Sequence, residues 1–102
     1  MTQKVVFRRR ALSAIAQAVE WYDSQSEGLA KRFLEAVDDA AVAIARNPYQ
    51  YQKVFGEFRR VALRIFPYNL IYIPTDDAVL VLTCIHNKRD LSREVAAGSG
   101  QP

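Results

Sequence analysis

One stretch, FRRVALRIFPYNLIYIPTDDAVLVLTCIHNKR from Phe58 to Arg89, constrains the fold more than any other. It holds three apolar, β-rich runs: VALRIF (61–66), NLIYI (69–73) and AVLVLTCI (78–85). Pro67 interrupts the first pair, and Pro74-Thr75-Asp76-Asp77 interrupts the second. Val, Ile, Tyr and Phe suit a pleated, half-buried surface, whereas Pro and Asp favour turns, so the stretch reads as a three-strand antiparallel meander.

The residues upstream supply what covers that meander. Lys4-Val5-Val6-Phe7 reads as a short first strand. From about Arg9 to Asp23 the apolar period changes to three and four: Leu12, Ile15, Ala16, Val19 and Tyr22 define one helix face, with a stripe of Ala11, Ala14 and Ala18 beside it. Trp21 falls outside that face; burial beneath the next helix is favoured over exposure to a partner. Ser24 or Ser26 is expected to cap a second helix, whose apolar face is Leu29, Phe33, Val37, Ala40, Ala41 and Ile44. This helix ends at Arg46-Asn47-Pro48, because the residue before a proline is pushed out of the α region. Two helices joined by so short a link pack as an antiparallel hairpin. In the irregular segment that follows, Val54-Phe55 is expected to pair briefly at a sheet edge.

The order is therefore β-α-α-β-β-β, an α+β domain with the helical hairpin on one face of a mainly antiparallel sheet. The expected domain spans residues 1–96, with 97–102 as a flexible tail. In the first meander strand, alternation puts Val61, Leu63 and Ile65 towards the helices and Arg60, Ala62, Arg64 and Phe66 on the opposite face. Buried unpaired arginines cost several kcal/mol, roughly, so that second face is expected to be an open surface for an anion or a partner.

Composition narrows the chemistry. Half of the 102 residues are hydrophobic and a quarter charged, proportions of a single ordinary globular domain. The only cysteine, Cys84, lies in the most apolar run, which excludes a disulfide framework and points to a reducing cytoplasm. The opening MTQKVVFRRR reverses the charge order of a signal peptide, and no apolar run approaches the ~20 residues of a bilayer span. Nucleotide-binding and metal motifs are missing, so neither cofactor nor metal is expected. The net charge is +3, with basic clusters at Arg8-Arg9-Arg10, Arg59-Arg60 and Lys88-Arg89, a pattern that permits a nucleic-acid partner or an acidic protein partner and equally fits a solvated basic face. His86, the single histidine, is the one candidate acid–base group of its kind.

The strings RRVALRIFPYNLIYI and AVLVLTCIHNKR, joined by their double-Asp turn, resemble the ParE/RelE superfamily of type II toxin–antitoxin toxins, the ParE or plasmid-stabilisation branch above all. Trp21-Tyr22, the Ala30–Phe33 stretch, Asn47-Pro48, Phe66-Pro67-Tyr68 and the terminal His86 with its basic neighbours fit the same pattern. The resemblance implies a cytoplasmic toxin held in a hetero-oligomer with a cognate antitoxin. It also implies one of two outputs: RelE-like members cleave mRNA on the ribosome, whereas ParE-like members act on DNA gyrase without cutting RNA. RelE-like nucleases commonly place an arginine where this chain has Asn69, and their later tyrosine has no counterpart near Val95. The implied output is therefore a protein contact rather than catalysis. Arg60, Arg64, His86, Lys88 and Arg89, with Trp21 and Tyr22, are the expected partner-binding residues. In the nuclease alternative, with the ribosome and mRNA as partners, Arg60, Arg64, His86 and Arg89 would carry the reaction. The antitoxin is expected at the sheet edge and the groove of the helical hairpin.

Overall fold

The structure is a computed structural model and describes residues 2–88. Its elements run β1 (Lys4–Phe7), α1 (Arg9–Gln25), α2 (Leu29–Arg46), β2 (Lys53–Phe55), β3 (Phe58–Ala62), β4 (Tyr68–Pro74) and β5 (Ala78–His86). The five strands form one sheet in the order β1-β5-β4-β3-β2. The β2–β3, β3–β4 and β4–β5 pairs are antiparallel, and β1 lies parallel to β5. The intervening chain makes the long crossover that a parallel pair requires. The fold is thus α+β, as expected, with Val54-Phe55 promoted to a full edge strand.

Both helices pack on one face of the sheet. Ala11, Ile15, Ala18 and Tyr22 from α1 and Phe33, Ala36, Val37, Ala40 and Ile44 from α2 meet Val61, Leu70, Tyr72, Val79, Val81 and Cys84. In α1, Ala11 and Ala18 of the alanine stripe join Ile15 and Tyr22 of the expected face in the core, while Leu12 is exposed. Small side chains let the helix approach closely, so the periodic face read from the larger residues is rotated. The cap of α2 also differs from expectation. Its N-cap is Gly28, held at φ +84° where a side chain would be strained, and the Ser24 hydroxyl donates back to the Trp21 carbonyl.

β3 ends at Ala62, and this shortens the alternation expected through Phe66. Val61 and Leu63 are buried towards the helices, but Ile65 is turned out and Phe66 turned in. Phe66 then stacks edge-on with Tyr22 and Phe33. The reversal is made at Ile65, whose φ of +58° is a left-handed conformation that a β-branched side chain adopts only at a cost of about 1–3 kcal/mol.

The face away from the helices is not bare. Ile71, Leu82 and Ile85 form a second buried cluster, with Phe58 packed against it. β4 and β5 are apolar on both sides, so the expectation of an open polar face drawn from β3 alone does not extend across the sheet. The shift in pairing between Ile71↔Thr83 and Tyr72↔Val81 leaves Leu82 as an extra residue. That bulge returns Cys84, opposite Leu70, to the helix side.

Candidate partner-binding site

The residues singled out in the sequence do not form one site. Arg60 pairs with Ile71 on the face away from the helices, is exposed, and reaches the Gln52 side-chain oxygen at 3.4 Å. Arg64 is not on that face. It lies beyond the end of β3, where the chain no longer alternates, and its guanidinium donates to the Asp39 carboxylate of α2 at 2.9 Å. With both side chains largely exposed, this pair contributes less than about 1 kcal/mol. Arg89 falls outside the described residues, as do the proposed tail and the position of Val95.

Trp21, Tyr22, His86 and Lys88, by contrast, are brought to one end of the molecule. The Tyr22 ring is buried and meets Trp21 at 5.0 Å, Phe66 at 4.9 Å and Tyr68 at 6.2 Å between centroids. Tyr68 in turn meets His86 edge-on at 5.1 Å, across the Tyr68↔His86 pair of β4 and β5. His86 therefore stands on the helix side of the sheet, not on the rim of the other face with Arg60. Its Nδ1 accepts the Lys88 backbone N–H at 3.2 Å. Trp21 is 57% exposed, so α2 does not cover it and the reading that hides it beneath the next helix is corrected. Phe33 is fully buried and belongs to the core.

Asn69, which the resemblance sets where RelE-like nucleases would carry an arginine, has a visible structural role. It is nearly buried, pairs with Ile85, and its amide nitrogen donates to the Asn87 side-chain oxygen at 2.6 Å. The Asn87 backbone N–H donates to the Pro67 carbonyl at 2.9 Å. Together these bonds tie the end of β5 to the turn before β4, beside Ile65 and Pro67. An amide committed in this way offers no charge to a developing phosphorane.

One cationic residue has a role that the sequence reading passed over. Arg59 pairs with Tyr72 and so points to the helix side, as the alternation that turns Val61 inward already required. Its guanidinium donates to the carbonyls of Tyr51 at 2.6 Å and Tyr49 at 3.2 Å and lies 5.3 Å from the Tyr49 ring centre. Beside it the Tyr72 hydroxyl donates to the Pro48 carbonyl at 2.7 Å. Arg59 and Tyr72 thus pin the segment linking α2 to β2.

Burial sets the acid–base behaviour of the interior. It pushes the Cys84 thiol up to about 12 and the Tyr72 hydroxyl up to about 12, the latter opposed by Arg59. Tyr22 is also raised, first by burial and then by Tyr68 and Cys84. A thiol held protonated is a poor nucleophile, so Cys84 packs rather than reacts. Among the described residues no three His, Cys, Asp or Glu side chains gather to hold a metal ion, and no helix is long and apolar enough to cross a membrane.

Comparison with known proteins adds the following. A family model described as the ParE toxin of the type II toxin–antitoxin system parDE matches residues 5–91. No curated protein matches the chain. Among solved structures, the chromosomal ParDE toxin–antitoxin system from P. aeruginosa superposes with a TM-score of 0.63 at 13% identity, covering 83% of this chain and 96% of that one. A variant of the E. coli toxin RelE in the free state gives a TM-score of 0.62 at 17% identity, covering 97% of this chain and 96% of that one. At such identities the likeness extends to the fold alone.

Proposed function

The chain belongs to the ParE toxin family of type II toxin–antitoxin systems, and from that premise we propose that it is a cytoplasmic toxin whose output is a protein–protein contact with DNA gyrase, neutralised by a cognate antitoxin. The observation that carries the choice of a protein target is Asn69. Its amide is bonded to Asn87 within the sheet, at the position where the resemblance implies an arginine in RelE-like nucleases. His86 does not separate the two readings, because the Lys88 N–H engages Nδ1 and the ring keeps Nε2 as its second polar atom. An acid–base group needs a free nitrogen within hydrogen-bond reach of the reacting proton.

Trp21, His86 and Lys88 stand as the partner-binding end in this reading, with the buried Tyr22 supporting Trp21 from the core and Arg60 on the second face of the sheet. The antitoxin meets the groove of the helical hairpin or a sheet edge, where an added strand or an amphipathic helix finds unpaired backbone or apolar surface. Inducing the chain alone in cells, while following DNA and protein synthesis, tests the proposal. DNA synthesis stalls first, with gyrase-linked breaks; an initial collapse of translation with mRNA fragments would overturn it.

The nuclease alternative rests on Arg60, exposed on the sheet face away from the helices, with Arg64, His86 and Arg89 as its other expected residues. It predicts codon-positioned cuts when the protein is added to a purified translation reaction, lost in Arg60→Ala. Intact mRNA removes it.

A further inference from the structure

Ile65 combines two unfavourable features in one residue. Its backbone is left-handed, at φ +58°, and its side chain is 82% exposed. A β-branched residue is among the least suited to that conformation, and glycine or asparagine would make the same turn without strain. Exposure of the side chain to water adds nothing to the stability of the fold. The surroundings hold it there from both sides: Arg64 is paired with Asp39, Phe66 is anchored in the aromatic core, and the Leu63 N–H donates to the Tyr68 carbonyl at 2.9 Å across the turn. The turn itself explains the left-handed backbone, because that is what lets Phe66 point inward. It does not explain an isoleucine.

What lies around Ile65 points to a partner. Pro67 is exposed two residues on, and its carbonyl accepts the Asn87 N–H, which sets the exposed Lys88 beside the turn. The exposed Trp21 is reached from the same end through Tyr22 and Phe66. An aliphatic tip flanked by a cation complements an apolar pocket with an acidic rim. We infer that Ile65 is the anchor by which the toxin engages its target protein, inserted into such a pocket on the target rather than held by the antitoxin. This rests on the protein-target reading given above.

Three full-length variants test it: Ile65→Asn and Ile65→Gly, which suit the left-handed backbone but remove the anchor, and Ile65→Val, which keeps a branched apolar side chain. Each is compared with the unaltered protein for thermal midpoint, for capture by the product of the neighbouring antitoxin gene, and for inhibition of gyrase supercoiling. For Ile65→Asn and Ile65→Gly the expected result is an unchanged or higher midpoint, unchanged capture by the antitoxin, and inhibition weakened at least about tenfold, the scale of a binding hot spot. Ile65→Val keeps inhibition within about threefold. Inhibition by Ile65→Asn equal to that of the unaltered protein overturns the inference, as does a loss of antitoxin capture in place of inhibition. A marked fall in midpoint for both Asn and Gly also overturns it, since the isoleucine would then serve the fold. If the unaltered protein itself leaves gyrase untouched, the gyrase reading fails; the anchor is then judged by growth arrest on induction, which Ile65→Asn must abolish and Ile65→Val must retain.

Discussion

Asn69 and Asn87 form a bond that a single substitution can break from either side. The bond is partly buried, so Asn69→Ala costs about 1–2 kcal/mol, and the coupling in a double-mutant cycle with Asn87→Ala is about 0.5–1.5 kcal/mol. Urea unfolding of the four proteins measures it; additive costs would show that the two amides do not depend on one another. Cys84 and Tyr72 make a second prediction at this scale. Both have folded-state values raised to about 12, above the ordinary 9.0 and 10.0. Ionisation above those ordinary values favours the unfolded chain, so the stability they contribute is complete below about pH 9 and lost as pH rises towards 12. Thermal midpoints should fall from about pH 9 upward, and Cys84→Ala should delay the onset to about pH 10, where Tyr72 takes over. An onset unmoved by Cys84→Ala would show that the thiol is not the group responsible.

The aromatic cluster of Tyr22, Phe33, Phe66 and Tyr68 couples the helical hairpin to the β3–β4 turn. Phe33 is completely buried at its centre, so Phe33→Ala should cost about 3–5 kcal/mol in chemical denaturation. Arg59 anchors a different element. Arg59→Ala removes two carbonyl contacts to a charged donor, worth about 1.5–3 kcal/mol together, and should speed amide exchange across 48–52 while leaving β4 and β5 protected. Much of this architecture was legible in the chain. The period of three and four located both helices, Pro48 stopped α2, and the β-branched runs located the meander. Three features were not. β3 is shorter than its apolar run because Phe66 gains more from the aromatic core than from the strand, and only tertiary packing decides that. The bulge at Leu82 depends on how β4 and β5 twist together, which neither run states alone. The alanine stripe of α1 enters the core because small residues permit close approach, an effect hidden when faces are ranked by hydrophobicity. The candidate site changes most, since the strand stops four residues short, before 63–66, and Arg64 leaves the sheet face for Asp39 of α2.

At the scale of the whole molecule, a two-helix layer covers one side of a five-stranded sheet and leaves charge and apolar tips at its ends. The family assignment fixes the system to which the protein belongs, while Asn69 bears on the proposed target. The most direct test of the protein-target account is a supercoiling assay with purified gyrase and purified toxin, with the product of the neighbouring antitoxin gene added in a parallel reaction. The account predicts inhibition that rises with toxin concentration and is reversed by the antitoxin. Undiminished supercoiling at toxin concentrations that arrest growth would contradict it.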